Sequence, residues 1–171
     1  MNQFEFMKII SPFKDRVYRL ARRLLVSSEE AQDATQEVLV KLWNSRERLE
    51  SYTSVEALAV TMTKNYCLDQ LKSKRAGNMR LVHSDYTGRD VGLYQQAEDR
   101  DSLQWVQKII NMLPEQQKII VQLRDIEQYE FEEIARVLDM NETAVRVALS
   151  RARKTIREQL TKMHDYGIKE N

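Results

Sequence analysis

Hydrophobic residues recur every three or four positions along most of the chain, which is the spacing of one face of an α-helix. The clearest early stretch runs from Ser11 to Leu25, where Pro12 suits a first helical turn. Its apolar positions are Phe13, Val17, Leu20, Ala21, Leu24 and Leu25. A shorter helix is expected before it, with the apolar residues Phe4, Phe6, Ile9 and Ile10. The pattern therefore predicts two packed helices at the N-terminus.

Two capping-box spacings predict the starts of two further helices. Ser27 precedes Glu30 by three residues, and Thr53 precedes Glu56 by three, so each side chain could bond the free backbone amide of the other. The first of these helices has an apolar face formed by Ala31, Ala34, Val38, Leu42 and Trp43. The second continues to about Arg75, with the apolar residues Leu58, Met62, Tyr66, Leu68 and Leu71. Trp43 and Tyr66 are expected in the core.

The helical pattern is lost between residues 77 and 100, where three of the four glycines of the chain occur, Gly77, Gly88 and Gly92. Glycine and polar residues favour an irregular, extended segment. We interpret residues 77–100 as a linker between an N-terminal domain, residues 1–76, and a C-terminal domain, residues 101–171. A long surface loop on a single domain is the alternative, although structureless loops of this length are uncommon in compact folds.

The pattern resumes after residue 101 and predicts four helices. The first contains Leu103, Val106, Ile109, Ile110 and Leu113, and the second opens at Pro114 and contains Ile119, Ile120 and Leu123. The third contains Phe131, Ile134, Ala135 and Leu138, and the last contains Val145, Leu149, Ala152, Ile156 and Leu160. Asp139, Met140 and Asn141 join these two, and Asn141 suits a cap. The expected fold is all-α: two small helical domains joined by a flexible linker, the C-terminal one a helix-turn-helix.

The last helix is strongly basic, as expected for a helix that enters the major groove of DNA. With Val145, Leu149 and Ala152 turned to the core, helical spacing turns outward Thr143, Arg146, Val147 and Ser150. Arg146 could donate a bidentate pair to guanine, and Val147 could contact a thymine methyl. The residues expected to hold phosphate are Arg151, Arg153 and Lys154. The alternative interpretation is a solvated basic helix end.

Composition narrows the class of protein further. The 171 residues are 42% hydrophobic and 31% charged with a formal net charge of +1, which is typical of a helix-rich soluble protein. The single cysteine, Cys67, excludes an internal disulfide and fits a reducing compartment. No segment approaches the about 20 apolar residues needed to span a bilayer. We therefore expect a cytoplasmic protein.

Enzymatic function has the least support. The two histidines, His83 and His164, fall in the presumed linker and the C-terminal tail. No spacing of cysteine, histidine or carboxylate indicates a metal site, and no phosphate-binding glycine loop occurs. The sequence therefore predicts neither catalysis, a metal nor a cofactor.

Two groups of motifs follow one another along the chain. The N-terminal group is Asp33, Gln36, Glu37, Val38, Leu42, Trp43, Asn65 and Asp69, followed by a basic cluster, and the C-terminal group is Leu113-Pro114, Glu133-Ile134-Ala135 and Arg151-Ala152-Arg153. The first group resembles region 2, and the second resembles region 4, of the extracytoplasmic-function (ECF) sigma factors of the sigma-70 family. Each motif is only moderately specific, but their joint order covers nearly the whole chain.

The resemblance implies a non-enzymatic subunit that binds core RNA polymerase and directs it to promoters. The implied polymerase-binding face is Asp33, Gln36 and Glu37, although a solvated acidic helix start would have the same composition. The implied minus-10 residues, which would hold the separated strand, are Tyr52, Lys64, Asn65, Asp69, Lys72, Lys74 and Arg75. The loop from Leu49 to Ser54 would hold a flipped base. Region 4 would read duplex DNA at minus-35, and an anti-sigma factor is a further expected partner.

Several alternatives remain open at this point. Asn65 and Asp69, four residues apart, could instead form a local hydrogen-bonded pair. A dimeric helix-turn-helix repressor or activator would explain the C-terminal half but not residues 1–76, and an all-helical adaptor would need no DNA contact. The sequence departs from the family pattern at Leu58, Ser73, Val147 and Ala148. These departures put the preferred promoter sequence in doubt rather than the class.

Overall fold

The computed structural model describes residues 1–81 and 102–169, and within these ranges every regular element is helical. Residues 82–100, the greater part of the predicted linker, lie outside the described residues. The all-α prediction with two helical parts is confirmed. The exact domain boundaries stay a prediction.

The N-terminal half contains four α-helices and one 3₁₀-helix. They are α1 (Gln3–Ile10), α2 (Lys14–Leu25), α3 (Ser28–Asn44), the 3₁₀-helix (Arg46–Ser51) and α4 (Val55–Leu81). Helix α1 begins with a reciprocal capping box, in which the Glu5 amide donates to Asn2 Oδ1 at 2.9 Å and the Asn2 amide donates to the Glu5 carboxylate at 3.1 Å. Ser27 caps α3 by accepting from the Glu30 amide. Side-chain caps thus fix the starts of α1 and α3.

The C-terminal half contains four α-helices, one of which continues into a π-helical turn. They are α5 (Ser102–Asn111), α6 (Glu115–Val121) with the π-helical turn (Gln122–Ile126), α7 (Phe131–Leu138) and α8 (Glu142–Lys169). Helix α7 ends at Asp139, which has a left-handed backbone with φ of 52°. The Ala144 amide donates to Asn141 Oδ1 at 2.7 Å, which confirms Asn141 as the cap of α8.

Three predicted helix boundaries were wrong. The helix expected from Ser11 begins at Lys14, because Ser11 and Pro12 lie in the turn that follows α1. Thr53 does not cap α4: the Ala57 amide donates to Ser54 Oγ at 3.1 Å, and the Glu56 carboxylate bonds to the side chains of other elements. Helix α4 also extends past Arg75 to Leu81.

Buried side chains follow the predicted apolar positions closely. Phe13, Val17, Leu20, Ala21, Leu24 and Leu25 of the first pattern are all buried. Trp43 packs its ring edge-on against Phe6 with centroids 5.0 Å apart. Phe4 is an exception, because it lies on the outer face of α1 and is exposed. One group of core residues lies within the N-terminal half, around Ile10, Val38 and Leu42.

A second group of core residues joins the two halves. It includes Leu20 and Val60 from the N-terminal half and Ile120, Ile134 and Leu149 from the C-terminal half. Helix α2 packs against α6 and the π-helical turn, and α4 packs against α7. The core of the C-terminal half is therefore continuous with part of the N-terminal core, while the first group belongs to the N-terminal half alone.

Candidate nucleic-acid and polymerase interfaces

Helices α7 and α8 form the predicted helix-turn-helix, with α8 as its second helix. Its inward residues Val145, Leu149 and Ala152 are each at most 2% exposed. The residues predicted to face bases are exposed on the opposite side: Thr143, Arg146, Val147 and Ser150. Arg151, Arg153 and Lys154 are exposed as well. The structure therefore brings the predicted DNA-reading residues together on one free surface.

Arg146 is held by two neighbours at the start of this surface. Its guanidinium lies 4.8 Å from the ring centroid of Phe131, the first residue of α7, and 3.6 Å from the Glu142 carboxylate. The guanidinium of Arg124 lies 4.3 Å from the same ring centroid. Cations are attracted to the face of an aromatic ring at such distances. Sequence reasoning selected Arg146 but missed the aromatic residue beside it.

Arg153 differs from Arg151 and Lys154, because its side chain is paired with a carboxylate of another element. Its guanidinium donates to both oxygens of Asp125 at 2.5 and 3.2 Å, and this hydrogen bonding raises the pKa of Arg153. Arg151 and Lys154 have exposed side chains that face solvent. Arg153 is thus less available for phosphate than these two residues.

The predicted minus-10 residues fall into two sets. Tyr52, Asn65, Asp69 and Lys72 are exposed, whereas Lys64, Lys74 and Arg75 contact other residues. Lys74 pairs with Glu30, and Arg75 pairs with Glu115 of α6. In the flipped-base segment, Leu49 is buried and serves the core. The exposed Tyr52 therefore remains the available stacking surface of that segment.

Lys64 is the most constrained of the predicted minus-10 residues. Its ammonium donates to the backbone carbonyl of Val137 at 2.8 Å, near the C-terminal end of α7. Burial lowers the pKa of Lys64, while the nearby Asp139 carboxylate acts in the opposite direction. A carbonyl at a helix C-terminus is a favourable partner for a cation. A cation expected to bind phosphate is thus engaged by the other half of the chain.

The predicted polymerase-binding face lies on α3. Asp33, Gln36 and Glu37 are exposed, and Val40, one turn further, is 53% exposed. The ammonium of Lys41 on the same helix lies 5.6 Å from the ring centroid of Tyr66. Burial, and then the Glu37 and Asp33 carboxylates, raise the pKa of the Tyr66 hydroxyl. The arrangement is a free acidic strip with an apolar edge.

Sequence reasoning missed the polar contact between the two halves. Arg19 donates to both carboxylate oxygens of Glu127 at 2.5 and 2.8 Å, and the Tyr129 hydroxyl donates to Glu56 at 2.8 Å. Arg23 donates to Gln122 at 2.8 Å, to Asn111 at 2.9 Å and also to Gln107. No spacing in the sequence indicates these pairs, because their members are 73 to 108 residues apart.

Neither a membrane-spanning helix nor a cluster of metal-ligating side chains is found in the part of the chain that the structure describes.

The fold and these surfaces define a class of protein: the described residues form two helical halves, with a basic helix-turn-helix in one and an exposed acidic face in the other. Comparison with known families identifies the class further. Residues 9–77 match sigma-70 region 2, and residues 103–156 match sigma-70 region 4. The chain belongs to the ECF sigma factors of the sigma-70 family. It is a sigma factor, and the sigma factor family binds core RNA polymerase and promoter DNA to initiate transcription.

Two curated relatives show the extent of the similarity. The chain is 29% identical over 158 residues to the ECF RNA polymerase sigma factor SigE of Mycolicibacterium smegmatis, covering 91% of this chain and 61% of that one. It is also 29% identical over 167 residues to the ECF RNA polymerase sigma-E factor of Haemophilus influenzae, covering 91% of this chain and 87% of that one. The chain thus spans less than two thirds of the first relative and most of the second.

Two solved structures share the fold. The sigma factor RpoE of Bartonella quintana, solved in complex with the anti-sigma factor NepR, has a TM-score of 0.74 at 20% identity and covers 92% of this chain and 97% of its own. CnrH, solved in complex with the cytosolic domain of CnrY, has a TM-score of 0.67 at 18% identity. The match covers 94% of this chain and 90% of CnrH. Both likenesses show that the chain shares the fold of these solved proteins.

Proposed function

We propose that this sigma factor binds core RNA polymerase through α3, reads minus-35 duplex DNA through α8, and holds the separated minus-10 strand with α4 and the preceding loop. The observation that carries the proposal is the exposed basic face of α8, positioned by a buried opposite face. In its role as specificity subunit the protein acts in the cytoplasm, carries no cofactor and performs no catalysis, since core polymerase supplies the nucleotide chemistry.

At minus-35, the exposed residues divide by chemistry. Arg146 near the start of α8 reads a base edge by donating two hydrogen bonds to guanine, and Val147 contacts a thymine methyl. Thr143 and Ser150 add hydrogen bonds on the same face. Arg151 and Lys154 hold phosphates, which fixes the register of the helix on the duplex. Arg153 joins them when it leaves Asp125.

At minus-10, opening without ATP requires that separated bases bind the protein better than they stack in the duplex. Asn65 and Asp69 offer amide and carboxylate groups on one exposed helical face, and Tyr52 offers a stacking surface. Lys64, Lys72, Lys74 and Arg75 follow the phosphates of the strand. This assignment requires the ion pairs of Lys74 and Arg75 to exchange for phosphate contacts.

On α3, Asp33, Gln36 and Glu37 dock on a basic surface of the polymerase clamp, where charge complementarity speeds association and fixes orientation. An anti-sigma factor is a further partner, since RpoE and CnrH were each solved with a protein bound, in the case of RpoE an anti-sigma factor. It would compete for the same acidic strip.

Run-off transcription tests the proposal. Purified core polymerase is incubated with and without the protein on sheared DNA of the organism that encodes it, and new transcript ends are sequenced. Discrete starts that share two upstream elements are expected. Absence of new starts together with absence of polymerase binding would contradict the proposal. Tight binding to a palindromic duplex without polymerase would instead favour the repressor alternative.

A further inference from the structure

The π-helical turn at the end of α6 presents Asp125 to the second helix of the helix-turn-helix. In this turn the Glu127 amide donates to the carbonyl of Gln122, five residues before it, at 3.0 Å. The bond spans one residue more than an α-helical bond does, so the helical phase changes here. Ile126 is 39% exposed although it follows the buried Leu123 by three residues. The direction of Asp125 therefore does not follow from the apolar pattern of α6.

Arg153, the partner of Asp125, lies on the same face of α8 as two residues proposed to read bases. It follows Arg146 by seven positions and Ser150 by three, and all three side chains are exposed. Seven residues advance an α-helix by about 10 Å. A recognition helix contacts base edges with its N-terminal residues, so a side chain two turns further on meets the sugar–phosphate backbone. Phosphate is therefore the DNA group that Arg153 would contact.

Asp125 occupies the guanidinium of Arg153 in the geometry that a phosphate would need. The Asp125 carboxylate accepts from Nη2 at 2.5 Å and from Nε at 3.2 Å, with one oxygen for each bond. The fork of an arginine binds carboxylate and phosphate alike, two oxygens at a time. The side chains of Arg153 and Asp125 are 49% and 32% exposed. Because an ion pair this exposed contributes little to stability, it can exchange for a phosphate contact at small cost to the fold.

Arg146 is not occupied in the same way. The carboxylate of Glu142 lies 3.6 Å from its guanidinium, which is beyond the usual length of a hydrogen bond. The second neighbour of Arg146, the ring of Phe131, accepts no hydrogen bond in the plane of the guanidinium and leaves its donors free for a base edge. The arginine that would read a base is thus available, whereas Arg153 is held by a carboxylate.

We infer that Asp125 limits the sequence-independent affinity of this protein for DNA by holding the guanidinium of Arg153 away from phosphate, so that minus-35 binding depends more strongly on base contacts. The inference rests on the proposed function. A phosphate contact adds affinity on every sequence, whereas a base contact adds it only on the correct one. Asp125 is thus a positioning residue that acts through Arg153 and reduces retention of the holoenzyme on DNA without a promoter.

Four variants separate this role from general electrostatics. Asp125→Asn removes the charge at nearly constant size, and Asp125→Glu keeps a carboxylate. Glu132→Gln is the matched control, because it also removes one negative charge from the helix-turn-helix, where Glu132 is exposed on α7 and pairs with Arg136. Arg153→Ala, alone and combined with Asp125→Asn, completes a double-mutant cycle.

Binding of holoenzyme, formed from core polymerase and each full-length protein, is measured on two duplexes. One carries the minus-35 element found by the run-off experiment, and the other carries the bases of that element in shuffled order. Dissociation constants are determined from about 50 to about 200 mM salt. Asp125→Asn should bind both duplexes about three- to tenfold more tightly at the lower salt. Its plot of log affinity against log salt should be steeper by about 0.9, the effect of one added phosphate contact.

The remaining variants should stay close to wild type. Asp125→Glu should restore the wild-type slope, because a carboxylate again occupies Arg153. Glu132→Gln should change affinity by less than about twofold, since it releases no cation of α8. In the Arg153→Ala background, Asp125→Asn should also change affinity by less than about twofold, because no guanidinium remains to be released.

Unchanged affinity and slope in Asp125→Asn would overturn the inference, because Arg153 would not be limited by its partner. Weaker binding would also overturn it, since Asp125 would then orient Arg153 towards phosphate. Equal tightening with and without Arg153 would reduce the effect to the loss of a negative charge and would overturn it as well. In these cases a preference of wild-type holoenzyme for the intact element would leave the proposed function in place. Absence of that preference would remove the proposed function and the inference together.

Discussion

The guanidinium of Arg146 lies 4.8 Å from the ring centroid of Phe131, so that the first helix of the helix-turn-helix supports a residue of the second that we propose reads a base. Glu142, four residues before Arg146 on α8, contacts the same guanidinium at 3.6 Å. An arginine held on two sides has fewer rotamers to lose when it meets a base. Phe131 is therefore expected to contribute to minus-35 discrimination without contacting DNA.

Replacing Phe131 with Leu should reduce the preference for the wild-type minus-35 element over an element in which the guanine read by Arg146 is replaced. The expected reduction is about two- to fivefold, which is equivalent to one cation–π contact of about 0.5–1 kcal/mol. Phe131→Trp, which keeps an aromatic face, should retain the preference. Competitive run-off assays on paired promoters measure it. Equal loss on both promoters in Phe131→Leu would indicate a purely structural role for the ring.

Arg146 and Arg151 should fail in different ways when replaced with Ala. Arg146→Ala should weaken the free energy of binding to the preferred minus-35 element by about 1–3 kcal/mol. The loss should be smaller on elements that lack the guanine that Arg146 reads. Arg151→Ala should weaken all elements similarly and lower the salt dependence of binding, because it removes one phosphate contact. Holoenzyme binding over a salt series distinguishes the two. Uniform loss in Arg146→Ala would contradict base reading.

The inward face of α8 illustrates what the sequence could predict. Val145, Leu149 and Ala152 are spaced for one helical face, and burial of that face leaves Arg146 and Ser150 outside regardless of the remaining fold. Local rules also located the cap at Asn141. Candidate residues that depend only on helical phase were therefore placed correctly, although their roles stay predictions.

The contact between the halves illustrates what the sequence could not predict. Arg19 and Glu127 are 108 residues apart. The sequence around Arg19 does not indicate whether its side chain faces solvent or a carboxylate. A related cause explains why Ser54, and not the predicted Thr53, caps α4. Glu56, the expected capping partner, is held by Arg16 and Tyr129 instead. Hydrogen bonds from Arg16 and Tyr129 thus prevent Glu56 from completing the capping box that the sequence predicted.

Asn65→Ala should impair promoter opening more than duplex binding. Asn65 is exposed on α4, so its loss should leave the core intact and remove one contact to a separated base. We expect permanganate reactivity of the opened strand to fall by about three- to tenfold at saturating holoenzyme, with closed-complex affinity changing less than twofold. Gln70→Ala, at another exposed position of the same helix, is the control. Unchanged permanganate reactivity in Asn65→Ala would remove Asn65 from the minus-10 site.

The thiol of Cys67 provides a pH-dependent test of packing in the N-terminal half. Cys67 is 0% exposed, and burial raises the pKa of its thiol to about 12, from an ordinary value of 9.0. The folded protein therefore favours the neutral thiol. The stability that this preference contributes is fully present below pH 9 and is lost as the pH rises from 9 towards 12, because the unfolded chain gains the thiolate first.

Urea unfolding of wild type and Cys67→Ala at pH 8, 9 and 10 measures this contribution, because the two proteins differ only at this side chain. The free energy of unfolding of wild type should fall relative to the variant by about 1 kcal/mol between pH 9 and 10. In parallel, iodoacetamide at pH 8 should alkylate Cys67 only in urea. Rapid alkylation of the native protein would mean that α4 opens locally around Cys67 in the folded state. The difference in pH dependence of the free energy of unfolding between wild type and Cys67→Ala should then be absent.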